Sequence, residues 1–184
     1  MKKVLFIAVA AMLSLSTFAQ KPLEFSKVIQ VEGVESDVLF SSIVQWIGSR
    51  YYNVGNDDFI SDKQAGYIIK QAAIPFVKTG FYQCYSGTII FKMKFQFKDG
   101  RYRVVLSDFS HIVKTSAKCT FNGEMGLVTD AEDNPLGGGI SKSAHNKVWK
   151  EIQEACKEKA DKVFAELEKI DYKAADSNND DDDW

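Results

Sequence analysis

The stretch Thr88-Ile89-Ile90-Phe91-Lys92-Met93-Lys94-Phe95-Gln96-Phe97-Lys98-Asp99-Gly100-Arg101-Tyr102-Arg103-Val104-Val105-Leu106 decides the fold. Ile89, Phe91, Met93, Phe95 and Phe97 alternate with Lys92, Lys94, Gln96 and Lys98. Period two is the mark of a strand with one buried and one solvated face. Asp99-Gly100 is a strong signal for a two-residue hairpin turn. If Lys98 faces Arg101, cross-strand partners have numbers summing to 199. Phe97 then meets Tyr102, Phe95 meets Val104 and Met93 meets Leu106. Apolar lies on apolar, so turn and strand pattern agree, and one face of the hairpin Thr88–Phe109 is core. The same register gathers Lys92, Lys94, Lys98, Arg101 and Arg103 on the opposite face.

Outward from this hairpin, Phe25 to Val31 is β-branched and apolar and reads as a strand, broken at Glu32-Gly33. Ser36 is a good N-cap residue with Asp37 in the first turn. Leu39, Phe40, Ile43, Trp46, Ile47 and Tyr51 recur at helical spacing, so a helix runs from Asp37 to about Arg50, ended by Asn53 to Asn56. Phe59-Ile60 and Tyr67 to Ile74 read as strands, and Pro75 stops the second or places it at an edge or bulge. Beyond the hairpin, Thr120-Phe121 and Leu127-Val128 are candidate short strands. Asp130 to Gly139 is a loop, after which Ser141 or Ser143 caps a long helix. Its apolar stripe includes Val148, Trp149, Ile152, Cys156, Val163 and Leu167. The order strand, helix, four strands, helix predicts an α+β fold. One antiparallel sheet carries both helices on its apolar face and leaves the other face open.

This order and several strings resemble a group of secreted Bacteroidetes proteins of unknown function with a TATA-binding-protein-like fold. The strings are Val28-Ile29-Gln30-Val31-Glu32-Gly33, Leu39-Phe40 with Trp46 downstream, and Lys98-Asp99-Gly100-Arg101-Tyr102-Arg103 with Asp108-Phe109. The resemblance covers about Phe25 to Phe109. It implies that the first strand lies beside Arg101–Phe109 and that the Phe59 strand is the opposite edge. It transfers no functional residue, because the group has no known activity.

Residues 1–19 have the parts of a secretory signal: Lys2 and Lys3, an apolar run from Val4 to Leu13, and small residues ending at Ala19. The run is too short to cross a bilayer, which takes about 20 apolar residues. The expected product is an exported chain from Gln20, periplasmic or extracellular, with one domain over residues 20–173. An acidic tail over 174–184 is expected to be disordered. Formal net charge is −2 for the 184 residues and −4 without Lys2 and Lys3. Asp176 and Asp180 to Asp183 account for that, and residues 20–175 sum to +1. So near-neutral a domain implies no strong field for nucleic acid or membrane, and no nucleic-acid partner or transmembrane segment is expected.

Three cysteines leave at least one unpaired, and none has metal or redox spacing. Extending the hairpin register sets position 84 opposite 115, four residues short of Cys119. The candidate disulfide is therefore Cys84–Cys119, with Cys156 a buried free thiol. No metal or cofactor is expected. Asp130, Glu132, Asp133 and Asn134 lack the calcium-loop order, since Pro135 stands where it fails. Gly137-Gly138-Gly139 before Ser141-Lys142 lacks the glycine that a phosphate loop places directly before its lysine.

His111 and His145 are the two histidines, and no nucleophile-elbow string accompanies them. They read as surface or capping residues. The leading reading is a non-catalytic binding domain using its open sheet face. Lys92, Lys94, Lys98, Arg101 and Arg103 suit an anionic ligand, the chain's own acidic tail or a protein of the cell envelope. The plainer alternative is a charged surface that keeps an open sheet from aggregating. Two other readings stand beside it: a hydrolase using His111 or His145, and a carrier holding a lipid or small apolar molecule between sheet and long helix.

Overall fold

The hairpin forms as its pattern demands. Strands β4 (Gly87–Lys98) and β5 (Arg101–Val113) pair around Asp99-Gly100, with Phe97 opposite Tyr102, Phe95 opposite Val104 and Met93 opposite Leu106. These come from a computed structural model that describes residues 20–51, 59–113, 119–136 and 141–172. The signal-like segment 1–19, the Asn53 to Asn56 turn, Gly137 to Gly139 and the acidic tail lie outside the described residues.

Around the hairpin stand β1 (Phe25–Gln30), α1 (Ser36–Arg50), β2 (Phe59–Asp62), β3 (Tyr67–Phe76), β6 (Gly126–Leu127) and α2 (Lys142–Leu167). The strand order is β1-β5-β4-β3-β2, every neighbour antiparallel, with β6 a two-residue addition on β5. The first strand therefore lies beside β5 and β2 is the far edge. Pro75 does not stop β3, which runs to Phe76. β2 covers only Tyr67 to Lys70, so the proline's missing N–H faces no strand there. The short strand beyond the hairpin is Gly126–Leu127; Thr120-Phe121 forms none.

β5 continues past Phe109 because a bulge corrects its phase. Partners sum to 199 as far as Lys92–Ser107 and to 200 from Ile90–Ser110 onward. Asp108 takes the left-handed backbone, φ 56°, at this irregularity, a conformation that aspartate tolerates better than most residues. The shift keeps Phe109 and His111 on the core face, where Phe109 stacks on Phe91 at 5.1 Å.

Both helices cover this face. From α1, Phe40 meets Phe97 at 5.4 Å and Trp46 meets Phe95 at 6.4 Å. Ser36 does not cap α1, since it is already helical and Glu35 before it makes no side-chain cap bond. The Asp99 carboxylate accepts from the Ser36 N–H at 2.9 Å instead. That bond holds the Asp99 carboxyl below its ordinary range. The residue that makes the turn thus also closes the helix start. In α2, Ser141 accepts from the Ala144 N–H at 3.2 Å, a local N-cap.

Trp149, Ile152, Cys156 and Ala160 of α2 and Met93, Phe95, Val104 and Leu106 of the sheet each have zero exposure. At these positions the long helix packs directly against the sheet.

Candidate functional site

Neither histidine is at the surface, contrary to the expectation from sequence. His111 is wholly buried and His145 is 2% exposed. The Met125 N–H donates to His111 Nδ1 at 3.2 Å, so His111 carries its proton on Nε2 and donates to the Tyr85 carbonyl at 3.1 Å. Asn134 donates to the Met125 carbonyl at 3.1 Å and accepts from the Leu136 N–H at 2.8 Å. His111 thereby ties the irregular stretch 119–136 to the sheet, and Asn134 braces that stretch internally. Burial lowers the pKa of both imidazoles, against a smaller opposing effect of the Tyr85 carbonyl bond and Glu124 on His111.

His145 Nδ1 lies 3.5 Å from the Tyr85 hydroxyl, and its Nε2 has no partner among the described residues. No serine hydroxyl or cysteine thiol bonds either imidazole among those residues. The Cys156 thiol, wholly buried, is pushed up to about 12. Among the described residues, the bonds of His111 and the ring contact of His145 with Tyr85 hold the end of the sheet together.

Cys84 and Cys119 are joined, Cα to Cα 5.4 Å, and Cys156 is free. The bridge closes the same end of the sheet that His111 fastens. There Gly123 passes so close that a Cβ on it would stand 2.0 Å from the Cys84 carbonyl oxygen. Among the described residues no group of three or more His, Cys, Asp or Glu could hold a metal ion, and no helix is long and apolar enough to cross a membrane.

The open face is where charge collects. Lys92, Lys94, Lys98, Arg101 and Arg103 are all exposed on it, but they are not equivalent. Lys92 is neutralised by Asp108, 3.0 Å away across the bulge. Lys94 sits between Ile69 and Val105, in a row that continues to the half-exposed Ile60. Lys98, Arg101 and Arg103 line a groove of about 440 Å³ together with Val28, Gln96 and the Ala65-Gly66 turn. The Gly66 carbonyl accepts from the Phe97 N–H at 3.0 Å, which fixes that turn as the groove's wall.

The pairings set the spacing. Lys98 is opposite Arg101, Gln96 opposite Arg103, and Val28 beyond Arg103 on β1. Opposed residues stand ~5 Å apart and alternate residues of one strand ~6.7 Å. The groove thus offers three cations and an amide within one short span, beside the half-exposed Val28. Lys94, Lys98, Arg101 and Arg103 make no ion pair with any described residue. Elsewhere some lysines of the fold meet acids, Lys27 with Glu168, Lys63 with Asp37 and Lys78 with Glu151, while others on the long helix, such as Lys157 and Lys162, do not among the described residues. A second recess of about 350 Å³ near Ser36 and Phe40 has its charges matched by Lys63 and Asp37, 3.1 Å apart.

Sequence reasoning missed Gln96 and Val28 as members of the groove. Both follow the outward phase of their strands, and only the pairing of β1 with β5 brings Val28 beside Arg103.

Comparisons with known proteins bear on the fold. A crystal structure of a TBP-like protein from Parabacteroides distasonis is similar in fold, with TM-score 0.54 and 15% identity, covering 82% of this chain and 95% of that one. A DUF4468 family protein from Bacteroides ovatus is similar with TM-score 0.51 and 15% identity, covering 82% and 88%. No curated protein matches significantly. At these identities the structures speak to fold alone. A family model described as a domain of unknown function (DUF4468) with TBP-like fold matches residues 25–111, the span from β1 to His111. Over residues 25–111 this chain is similar to the DUF4468 family, and its fold is TBP-like.

Proposed function

We propose that this is an exported, non-catalytic binding domain that takes an anionic partner on the open face of its sheet. The observation that carries the reading is the set of four cations, Lys94, Lys98, Arg101 and Arg103, without an acid partner among the described residues. An arginine fork meets a carboxylate, sulfate or phosphate in bidentate fashion. Two forks and a lysine in one groove suit a ligand with several acidic groups in a row. Val28, Ile60, Ile69 and Val105 give that face apolar surface as well, so a ligand with an apolar body also fits. Export is supported by Lys2, Lys3, the run Val4 to Leu13 and the small residues through Ala19. N-terminal sequencing of protein recovered outside the cytoplasm should begin at Gln20.

The binding test uses a heparin-derived octasaccharide as a soluble polyanion, titrated by calorimetry into the chain beginning at Gln20. Binding should weaken steeply between ~20 mM and ~300 mM salt, as screening of exposed charges requires. It should be lost in Arg101→Glu/Arg103→Glu. Equal affinity in that double variant, or affinity indifferent to salt, would remove the basis for the reading.

A further inference from the structure

We infer that the groove has a partner within the chain: the acidic segment Asp176 to Asp183 docks in cis across Lys98, Arg101 and Arg103 and competes with outside anions. This rests on the anion-binding reading of the same face. Three observations carry it.

The first is where the described fold ends. Tyr102 lies on the core face of β5 between Arg101 and Arg103. Its hydroxyl meets the Tyr172 hydroxyl at 2.6 Å, and Tyr172 donates onward to the Leu167 carbonyl at 3.1 Å. Both tyrosines are buried. The pair pins the last described residue to the very strand that carries the two arginines, two residues from the turn that ends the groove.

The second is reach. Asp180 lies eight positions beyond Tyr172, and an extended chain spans ~3.3 Å per residue, so ~26 Å is available. The path around the sheet is shorter. Beside Arg101 and Arg103 the strand outside β5 is β1, ~5 Å away, and the sheet with its side chains is ~10 Å deep.

The third is charge. Asp176 and Asp180 to Asp183 bring five negative charges with only Lys173 near them in sequence. The groove and Lys94 supply four positive charges with no acid partner among the described residues. Three acids at or near this face, Asp62, Asp99 and Asp108, already have partners. They are engaged with the Ala65 N–H, the Ser36 N–H and Lys92 respectively. Each exposed pair contributes little alone. A tether this short supplies millimolar effective concentration, so weak pairs suffice for substantial occupancy.

The test compares the chain from Gln20 with a variant in which the five tail aspartates are replaced by asparagine, so length is preserved. In amide NMR spectra at ~20 mM salt, Gln96, Lys98, Arg101 and Arg103 should differ between the two chains, and the difference should vanish near ~0.5 M salt. The difference should not depend on protein concentration. Growth with concentration would mean that the tail binds a second copy, and would overturn docking in cis. Identical groove amides at low salt would overturn it outright. Heparin octasaccharide should bind the asparagine variant about threefold or more tighter than the wild-type tail. If both chains bind it equally and lose it with Arg101→Glu/Arg103→Glu, the anion site stands and the tail docking falls. If neither binds it while the amide differences persist, the tail docks on a face that takes no outside polyanion of this kind, and the anion-binding reading falls instead.

Discussion

Replacing His111 with glutamine should flatten the dependence of stability on pH. In the fold His111 is wholly buried and neutral, accepting from Met125 and donating to Tyr85. Burial lowers its pKa in the folded chain. The unfolded chain therefore binds more protons than the folded one as pH falls through the ordinary histidine value near ~6.5, and stability rises with pH there. The contribution of neutral His111 is fully present above that value. It is lost progressively as pH drops toward the depressed folded value. At pH ~5.5, one unit below the unfolded value, the loss approaches ~1.4 kcal/mol for an imidazole that stays neutral in the fold. His145 is shifted in the same direction, so it contributes to the wild-type slope and remains in the variant. Urea unfolding under non-reducing conditions at pH ~7.5 and ~5.5 would measure both chains, with carboxylate effects cancelling in the comparison. His111→Gln should lose about 1 kcal/mol less than wild type over this interval. Parallel losses in the two chains would refute the reasoning, since they would mean that His111 titrates alike in folded and unfolded states.

Phe95→Ala should cost ~3–5 kcal/mol, because Phe95 has zero exposure and lies against Trp46 and Tyr102, while Lys94→Ala should cost less than about 0.5; equal urea midpoints for the two would contradict the register. Gly123→Ala should destabilise by ~1–3 kcal/mol, since its Cβ would stand 2.0 Å from the Cys84 carbonyl oxygen; an unchanged thermal midpoint would show that the 119–125 segment approaches less closely. Peptide mapping of non-reduced protein should return a linked Cys84–Cys119 peptide and one alkylatable thiol at Cys156. Opening that bridge by serine substitution should cost ~3–4 kcal/mol for a loop of this length. Three free thiols after unfolding would exclude the bridge.

The hairpin was legible because its information is local. Alternation from Ile89 to Lys98 names the buried face, and Asp99-Gly100 sets the register by turn geometry alone. From those two facts the basic residues of the open face follow without any tertiary knowledge, and so does the apolar face that the helices must cover. The segment strings around Val28 and Trp46 carried the strand order through resemblance, and the order β1-β5-β4-β3-β2 agrees with it.

What depended on long-range contact was not legible. Asp99 caps α1 across 63 positions, displacing Ser36 from the role its type suggested. His111 follows the bulge at Asp108 into the core, and the groups that satisfy it, Met125 and Tyr85, come from segments with little periodicity. Among five basic residues of like pattern, Lys92 is answered by Asp108, whereas Lys98, Arg101 and Arg103 share a groove with Val28 from another strand. Sequence by itself determined which residues face out, because backbone pleat and turn are short-range properties. Only the tertiary structure decided which outward charges stay unanswered, because that depends on which strands become neighbours and on where one extra residue bends them.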